Sequence, residues 1–273
     1  MQSALERWRS LLHARAQQMD AAYARLGRSS ADFWDRRARA FHRVTKERTQ
    51  RDPLYLKLSS VVTPQTTILD VGAGTGRFVL ALAPLAKQVI AVEPNAAMLQ
   101  YLQQDAAEQG ITNITYVPTT WQDAPTDLKT DIVICSHVLY PIWDIDTFLE
   151  KLRAATLGTS YIYMRAGHFD NLTAPFWRHF HGDERCMPPG YIHALDVMYE
   201  MGMYANVDIV QIPQSMRFDS LEEAVERTLE ELILPDEEQT RIELAKLVGP
   251  WLIERDDIYY PPFLEMAAAI MYW

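Results

Sequence analysis

At 273 residues, 48% of them apolar, the chain is long enough to bury a full core and fits one α/β domain with additions. Its formal charge of −10 argues against a general nucleic-acid binder, the charged start MQSALERWRS against a signal peptide, and the lack of a long apolar run against a membrane span, so a cytoplasmic protein is expected. Two cysteines, Cys135 and Cys186, make neither a disulfide framework nor a zinc spacing, and Cys135, inside an apolar run, should be buried and inert.

Charge is uneven along the chain. Residues 1–52 hold 12 Lys and Arg against 6 Asp and Glu, which leaves −16 on the remainder. Two readings stand: a solvated helix face turned toward the acidic segment 219–257, or an arm that grips RNA. Leu5, Trp8, Leu12, Met19 and Leu26 recur as on an amphipathic helix over 3–26, with a seven-residue component that suits packing on the same domain or a homodimer. Gly27 closes that helix, Ser29 or Ser30 caps a second one carrying Trp34 and Phe41, and Asp52-Pro53 starts a third running through Val62.

Residues 68–93, ILDVGAGTGRFVLALAPLAKQVIAVE, then read as strand, glycine loop, helix, strand. Gly72, Gly74 and Gly76 allow a tight turn and a close backbone approach to a ligand, and Glu93 ends the second strand where a carboxylate can accept from two ribose hydroxyls. A helix follows over 95–109 with Gly110 as its stop, then strands at 114–117 and 130–136, a helix from Asp144 through Leu157 ended by Gly158, and a strand over 160–165. Ser136, His137 and Tyr140 fall at the carboxyl end of the 130–136 strand, where an open parallel sheet lines its crevice. Segment 167–193 has weak periodicity and holds four of the seven histidines, so it reads as a long functional excursion. A helix over 191–201, a strand over 207–212, two acidic helices over 220–232 and 235–248, and an apolar strand in FLEMAAAIMYW complete the chain.

A dinucleotide loop would read GxGxxG, with its third glycine at the helix-packing position; this chain reads DxGxGxG. That pattern resembles the first motif of the class I S-adenosylmethionine-dependent methyltransferases of small-molecule type. The resemblance implies a doubly wound, mostly parallel seven-stranded sheet of Rossmann-like methyltransferase fold, its last strand antiparallel, with an N-terminal helical arm and cap (1–52) before the main domain (53–273). Within that domain, 166–203 would be a substrate-side insertion and 219–257 an acidic helical insertion.

For S-adenosylmethionine, the resemblance puts Asp70 near the amino-acid end, Gly72, Ala73, Gly74 and Gly76 beneath it, Glu93 with Pro94 at the ribose, and Met98 on the adenine face. The adenine edge falls to the loop Thr120-Trp121-Gln122-Asp123, left open between the Trp121 backbone and Asp123, and Ser136 borders the cofactor. Trp34, Phe41 and Tyr140 would lie on the acceptor side. The expected activity is methyl transfer to a small-molecule acceptor; the alternatives are a non-catalytic module that binds S-adenosylmethionine, and an RNA methyltransferase. Against the last, the segment after the fourth strand reads SHVLY and lacks the Asn/Asp-Pro-Pro-aromatic signature of relatives that methylate base amino groups.

In-line transfer of a methyl group needs chiefly held geometry and excluded water, so no catalytic triad is required. If the acceptor is a hydroxyl, His137 or His168 is the candidate general base. His179 and His181 point about 200° apart on a helix, and no metal site is expected.

Overall fold

The structure is a computed structural model that describes residues 2–28, 49–167, 170–213, 216–262 and 265–273. Trp34, Phe41 and His168 lie outside the described residues.

One sheet organises the chain. Its strands are β1 (Thr67–Val71), β2 (Gln88–Val92), β3 (Ile114–Val117), β4 (Thr130–Ser136), β5 (Thr156–Arg165), β6 (Asn206–Pro213) and the last strand (Glu265–Tyr272). A short hairpin, β7 (Ile253–Arg255) and β8 (Ile258–Tyr260), precedes that last strand, which is therefore β9. The order across the sheet is β3-β2-β1-β4-β5-β9-β6, with β1 to β5 parallel and β9 antiparallel to both neighbours. Strand order reverses between β1 and β4, so the sheet opens a crevice at their carboxyl ends.

Period-two alternation sends the strand residues to two cores. Leu69, Val71, Val133, Cys135, Ile162 and Met164 face one side, where they meet Phe148, Leu149 and Leu152 of α5 (Ile145–Ala155), Val197 and Met198 of α7 (Tyr191–Glu200), and Trp8 and Leu12 of α1 (Ala4–Arg25). Ile68, Ile132, Ile134, Tyr161 and Tyr163 face the other, against Leu54 and Leu58 of α2 (Pro53–Ser59), Phe78 and Leu82 of α3 (Arg77–Leu82), and Leu99 and Leu102 of α4 (Ala96–Glu108). A third core joins α6 (Asp170–His181), α8 (Leu221–Leu232) and α9 (Glu238–Val248) to Ala22 and Tyr23 near the end of α1.

Helix α1 therefore straps two units together. Ser3 and Glu6 form a reciprocal capping box at its start. Trp8 is fully buried and donates from Nε1 to the Ile142 carbonyl at 2.7 Å. The seven-residue seam is used within the chain: Leu5 and Leu12 pack on the sheet core, Met19 and Leu26 on the third core. Among the arm's described arginines, Arg7 meets Asp196, Arg9 meets Asp144 and Asp146, Arg15 meets the Cys186 carbonyl, and the charge of Arg28 acts on Asp236 of the segment 219–257.

Four local expectations need correction. Helix α2 stops at Ser59 rather than Val62, where the Ser60 hydroxyl donates to the Lys57 carbonyl. Gly158 does not end α5 but lies inside β5, where an added Cβ would come within 2.5 Å of the Asp131 carbonyl oxygen. Segment 167–193 contains a regular helix, α6, because Thr173, Phe176, Trp177 and Phe180 recur at helical spacing and cover the third core. The β7–β8 hairpin turns on Asp256-Asp257, both at positive φ (52° and 59°), a two-residue turn that the sequence reading missed.

Candidate active site

The glycine loop leaves β1 with its backbone pinned to β2. The Gly72 and Ala73 N–H groups both donate to the Val92 carbonyl, at 2.8 and 3.0 Å. Gly72, Gly74 and Gly76 all sit at positive φ, at 74°, 56° and 89°, where a side chain is strained. A Cβ on Gly72 would reach 2.3 Å from Val138 Cγ2, just beyond β4. One on Gly76 would reach 2.2 Å from Leu102 Cδ1 of α4. Gly76 thus does the helix-packing work that the spacing seemed to leave without a glycine.

Two acids face this loop. Asp70 and Glu93 stand in register with the strand residues that point to the α2–α3–α4 side, and both are buried. The Gly74 N–H donates to Glu93 Oε2 at 2.7 Å and the Asn95 N–H to Oε1 at 2.8 Å. Burial raises the Glu93 pKa, while those two donors pull it back. Burial, aided by the Glu93 charge, pushes Asp70 up to about 7. No donor among the described residues bonds the Asp70 carboxylate. Such a pair fits a ligand that brings hydroxyl and ammonium donors, because each Glu93 oxygen keeps a further lone pair.

The flanking residues divide. Met98 is buried in the first turn of α4, whose cap is the Asn95 side chain accepting from the Met98 N–H. The Trp121 indole packs edge-on against Phe148, 6.4 Å between centroids, and donates to the Phe148 carbonyl, so its ring belongs to the core. Thr120 Oγ1 donates to Asp123 Oδ2 at 2.7 Å, and Lys151 reaches from α5 to the Gln122 and Ala124 carbonyls, which fixes the loop.

Across the crevice, β4 ends in Ser136, and His137 follows at φ 60°, a left-handed conformation that a residue with a Cβ adopts at a cost. Its N–H donates to the Tyr163 carbonyl at 2.8 Å, and its ring lies against Tyr163 and Tyr140. His137 Nδ1 is 3.0 Å from Tyr140 Oη, which also accepts from the Arg165 N–H at 2.8 Å. The Arg165 N–H takes one of the two Oη lone pairs; with the phenolic hydrogen assigned to Nδ1, Nε2 carries the ring hydrogen, a tautomer assigned from the network. Burial, then the charges of Arg165 and Arg77, hold the His137 pKa well below the ordinary histidine range. Sequence reading missed Asp52, Arg77, Tyr163 and Arg165, which complete this wall. Asp52, nearly fully buried, caps α2 by accepting from the Leu54 and Tyr55 N–H groups, pairs with Arg77, and accepts from Tyr163 Oη at 3.4 Å. The signal was present in Asp52-Pro53 and in the period-two run Tyr161, Tyr163, Arg165.

The other described histidines of the rich segment have separate partners. His179 contacts Glu243 at 2.7 Å. His181 accepts from Arg25 at Nδ1, donates from Nε2 to the Leu232 carbonyl at 2.8 Å, and stacks on Trp177. His193 accepts from the Gly190 N–H. Among the described residues no group of three or more His, Cys, Asp or Glu could hold a metal ion, and no helix is long and apolar enough to cross a membrane.

Residues 68–156, from the glycine loop's strand to the start of β5, match the family profile described as a methyltransferase domain. Over that stretch the chain is similar to the methyltransferase-domain family. A Haemophilus influenzae protein without an assigned function is 28% identical to it over 213 residues, 73% of this chain and 75% of that protein. The uncharacterized methyltransferase YcgJ of Bacillus subtilis is 29% identical over 79 residues, 29% of this chain and 31% of its own length. Among solved structures, a candidate methyltransferase of Bacillus halodurans, BH2331, superposes on this chain with a TM-score of 0.55 at 15% identity, covering 81% of this chain and 97% of the other. The YcgJ structure gives 0.52 at 14%, covering 80% and 95%. Identities this low speak for the fold alone.

Proposed function

We propose that this domain transfers the methyl group of S-adenosylmethionine to a small-molecule acceptor. The observation that carries the reading is the Glu93 carboxylate, held by the Gly74 and Asn95 N–H groups beside buried Asp70 at the mouth of the crevice. When bound, the sulfonium supplies an electrophilic methyl group. Glu93 accepts from the ribose hydroxyls, Asp70 takes the ammonium end, and the Gly72–Gly76 backbone lies beneath; Met98, Thr120, Asp123 and Ser136 border the cofactor. His137 serves as a neutral donor on the acceptor side rather than as a general base, since Nδ1 is engaged and Nε2 carries hydrogen.

The test has two parts. Calorimetry should show S-adenosylmethionine and S-adenosylhomocysteine binding to the whole chain, and methyl-labelled donor mixed with a small-metabolite pool should give a labelled small product. Binding without any labelled product would favour the non-catalytic module. Label appearing only in added RNA would favour the RNA reading, which the described arginines of α1 do little to support because they face protein partners.

A further inference from the structure

Charge is segregated across the crevice. The ends of β1 and β2 present Asp70 and Glu93, while the end of β5 and the start of α3 present Arg165 and Arg77. Tyr161, Tyr163 and Arg165 follow one another on the same face of β5: the two tyrosines are buried, and Arg165, partly buried, ends the strand. Arg77, the first residue of α3, pairs with Asp52, which accepts from Tyr163 Oη, and the Arg165 N–H donates to Tyr140 Oη beside His137, so hydrogen bonds and ring contacts run from Arg77 through Tyr163 and His137 to Arg165.

Each cation has a protein carboxylate near it. Glu231 of α8 lies by Arg165, and Asp52 pairs with Arg77. Asp52 is already committed to capping α2 and to Tyr163, and Arg77 meets it through Nη2 alone, whereas a guanidinium has five N–H donors in a planar fork. His137 adds a neutral Nε2–H, and its neighbours Tyr140 and Tyr163 stay protonated because burial raises both phenols. The wall on the acceptor side therefore presents hydrogen-bond donors, and each of its carboxylates already has a guanidinium partner. An amine would find no unpaired carboxylate among these groups; a planar or tetrahedral oxyanion would meet N–H donors.

Resting on the methyltransferase reading above, we infer that the acceptor is an anionic small molecule whose oxyanion, a carboxylate or a phosphate-type group, is held by Arg165 and Arg77 with His137 as the third donor.

The test uses the whole chain with isotope-labelled histidine, the His137 signal being assigned by its loss in His137→Asn. Sodium acetate, sodium phosphate and methylammonium chloride are titrated separately by nuclear magnetic resonance at constant ionic strength. Acetate or phosphate should move the His137 signal saturably, and methylammonium should not. A response to acetate alone assigns a carboxylate, and one to phosphate alone assigns a phosphate-type group. In Arg165→Gln the affinity should fall by about tenfold or more, the loss of one charge-assisted contact. Arg77→Lys, which keeps a cation beside Asp52, should weaken binding less. Saturable binding of methylammonium, or no saturable response to either oxyanion in the wild-type chain, overturns the inference without requiring any variant to fold. Calorimetry with S-adenosylmethionine separates the two readings: cofactor binding without an oxyanion response sinks this inference alone, and an oxyanion response without cofactor binding sinks the methyltransferase reading alone.

Discussion

The Gly74 N–H donates to Glu93 Oε2 at 2.7 Å, so the glycine loop and the acid at the end of β2 are hydrogen-bonded to each other across the crevice floor. Glu93 consequently has two jobs: it orders the loop through Gly74 and Asn95, and it offers its remaining lone pairs to a ligand. Glu93→Ala should lower affinity for S-adenosylmethionine at least tenfold, because charge-assisted hydrogen bonds contribute roughly 1.5 to 3 kcal/mol each. Calorimetry returning the wild-type affinity would reject the ribose assignment.

Gly76 and Leu102 should behave as a coupled pair. A Cβ at Gly76 would come within 2.2 Å of Leu102 Cδ1, and the residue sits at φ 89°. Gly76→Ala should cost about 1 to 3 kcal/mol by overpacking and backbone strain. Adding Leu102→Ala removes the collision but not the strain, so part of the loss should return in a double-mutant cycle followed by urea unfolding. Strictly additive effects would show that the contact is irrelevant.

Asp70 should make stability depend on pH in the direction opposite to most carboxylates. Its pKa rises from 3.8 unfolded to about 7 folded, so the folded chain binds the extra proton in that window. The contribution is fully present below the unfolded pKa and is lost as pH rises through the folded one, by up to about 1.4 kcal/mol for each pH step between the two values. Asp70→Asn should therefore raise the thermal midpoint at pH 8 relative to wild type and change it little at pH 4. A midpoint lowered at pH 8 would mean that the carboxylate has a donor there.

The fold was legible because its signals are local. Asp70 through Gly76 and Glu93 carry the strand–loop–helix–strand unit within one continuous stretch, and β9 shows itself as an apolar run at the chain's end. The acceptor-side wall was not legible, because it is assembled from Asp52, Arg77, His137, Tyr140, Tyr163 and Arg165, which the starts of α2 and α3 and the parallel pairing of β4 with β5 bring together from distant parts of the chain. The Trp121 ring goes to the core, because a large apolar ring beside a packed helix gains by burial against Phe148, so the adenine-edge expectation at this residue concerns its backbone alone.

Trp8 tests whether α1 belongs to the domain. Its ring is fully buried between α1 and the sheet core, and its Nε1 bonds to the Ile142 carbonyl at 2.7 Å. Trp8→Ala should cost about 3 to 5 kcal/mol, the usual loss for a buried aromatic. Trp8→Phe should cost less, through the unsatisfied carbonyl and a smaller cavity. A loss under about 1 kcal/mol in chemical denaturation would mean that the arm is only loosely docked.

His137 gives the last prediction, and it separates a donor from a base. Burial and the fields of Arg165 and Arg77 lower its folded pKa well below the ordinary histidine value of 6.5, so the ring is neutral throughout the physiological range. For a histidine shifted this way, the unfolded chain takes up the proton first; stability is fully present above about pH 6.5 and falls as pH drops toward the folded pKa. His137→Asn keeps a residue type that tolerates the left-handed backbone and removes the imidazole. The variant should fold, and it should lose stability less steeply than wild type on acidification below about pH 6. In the wild-type chain the His137 resonance should show no titration between about pH 6 and 9. A midpoint near the ordinary histidine value would instead make His137 able to accept a proton during turnover, and would restore it as a general base.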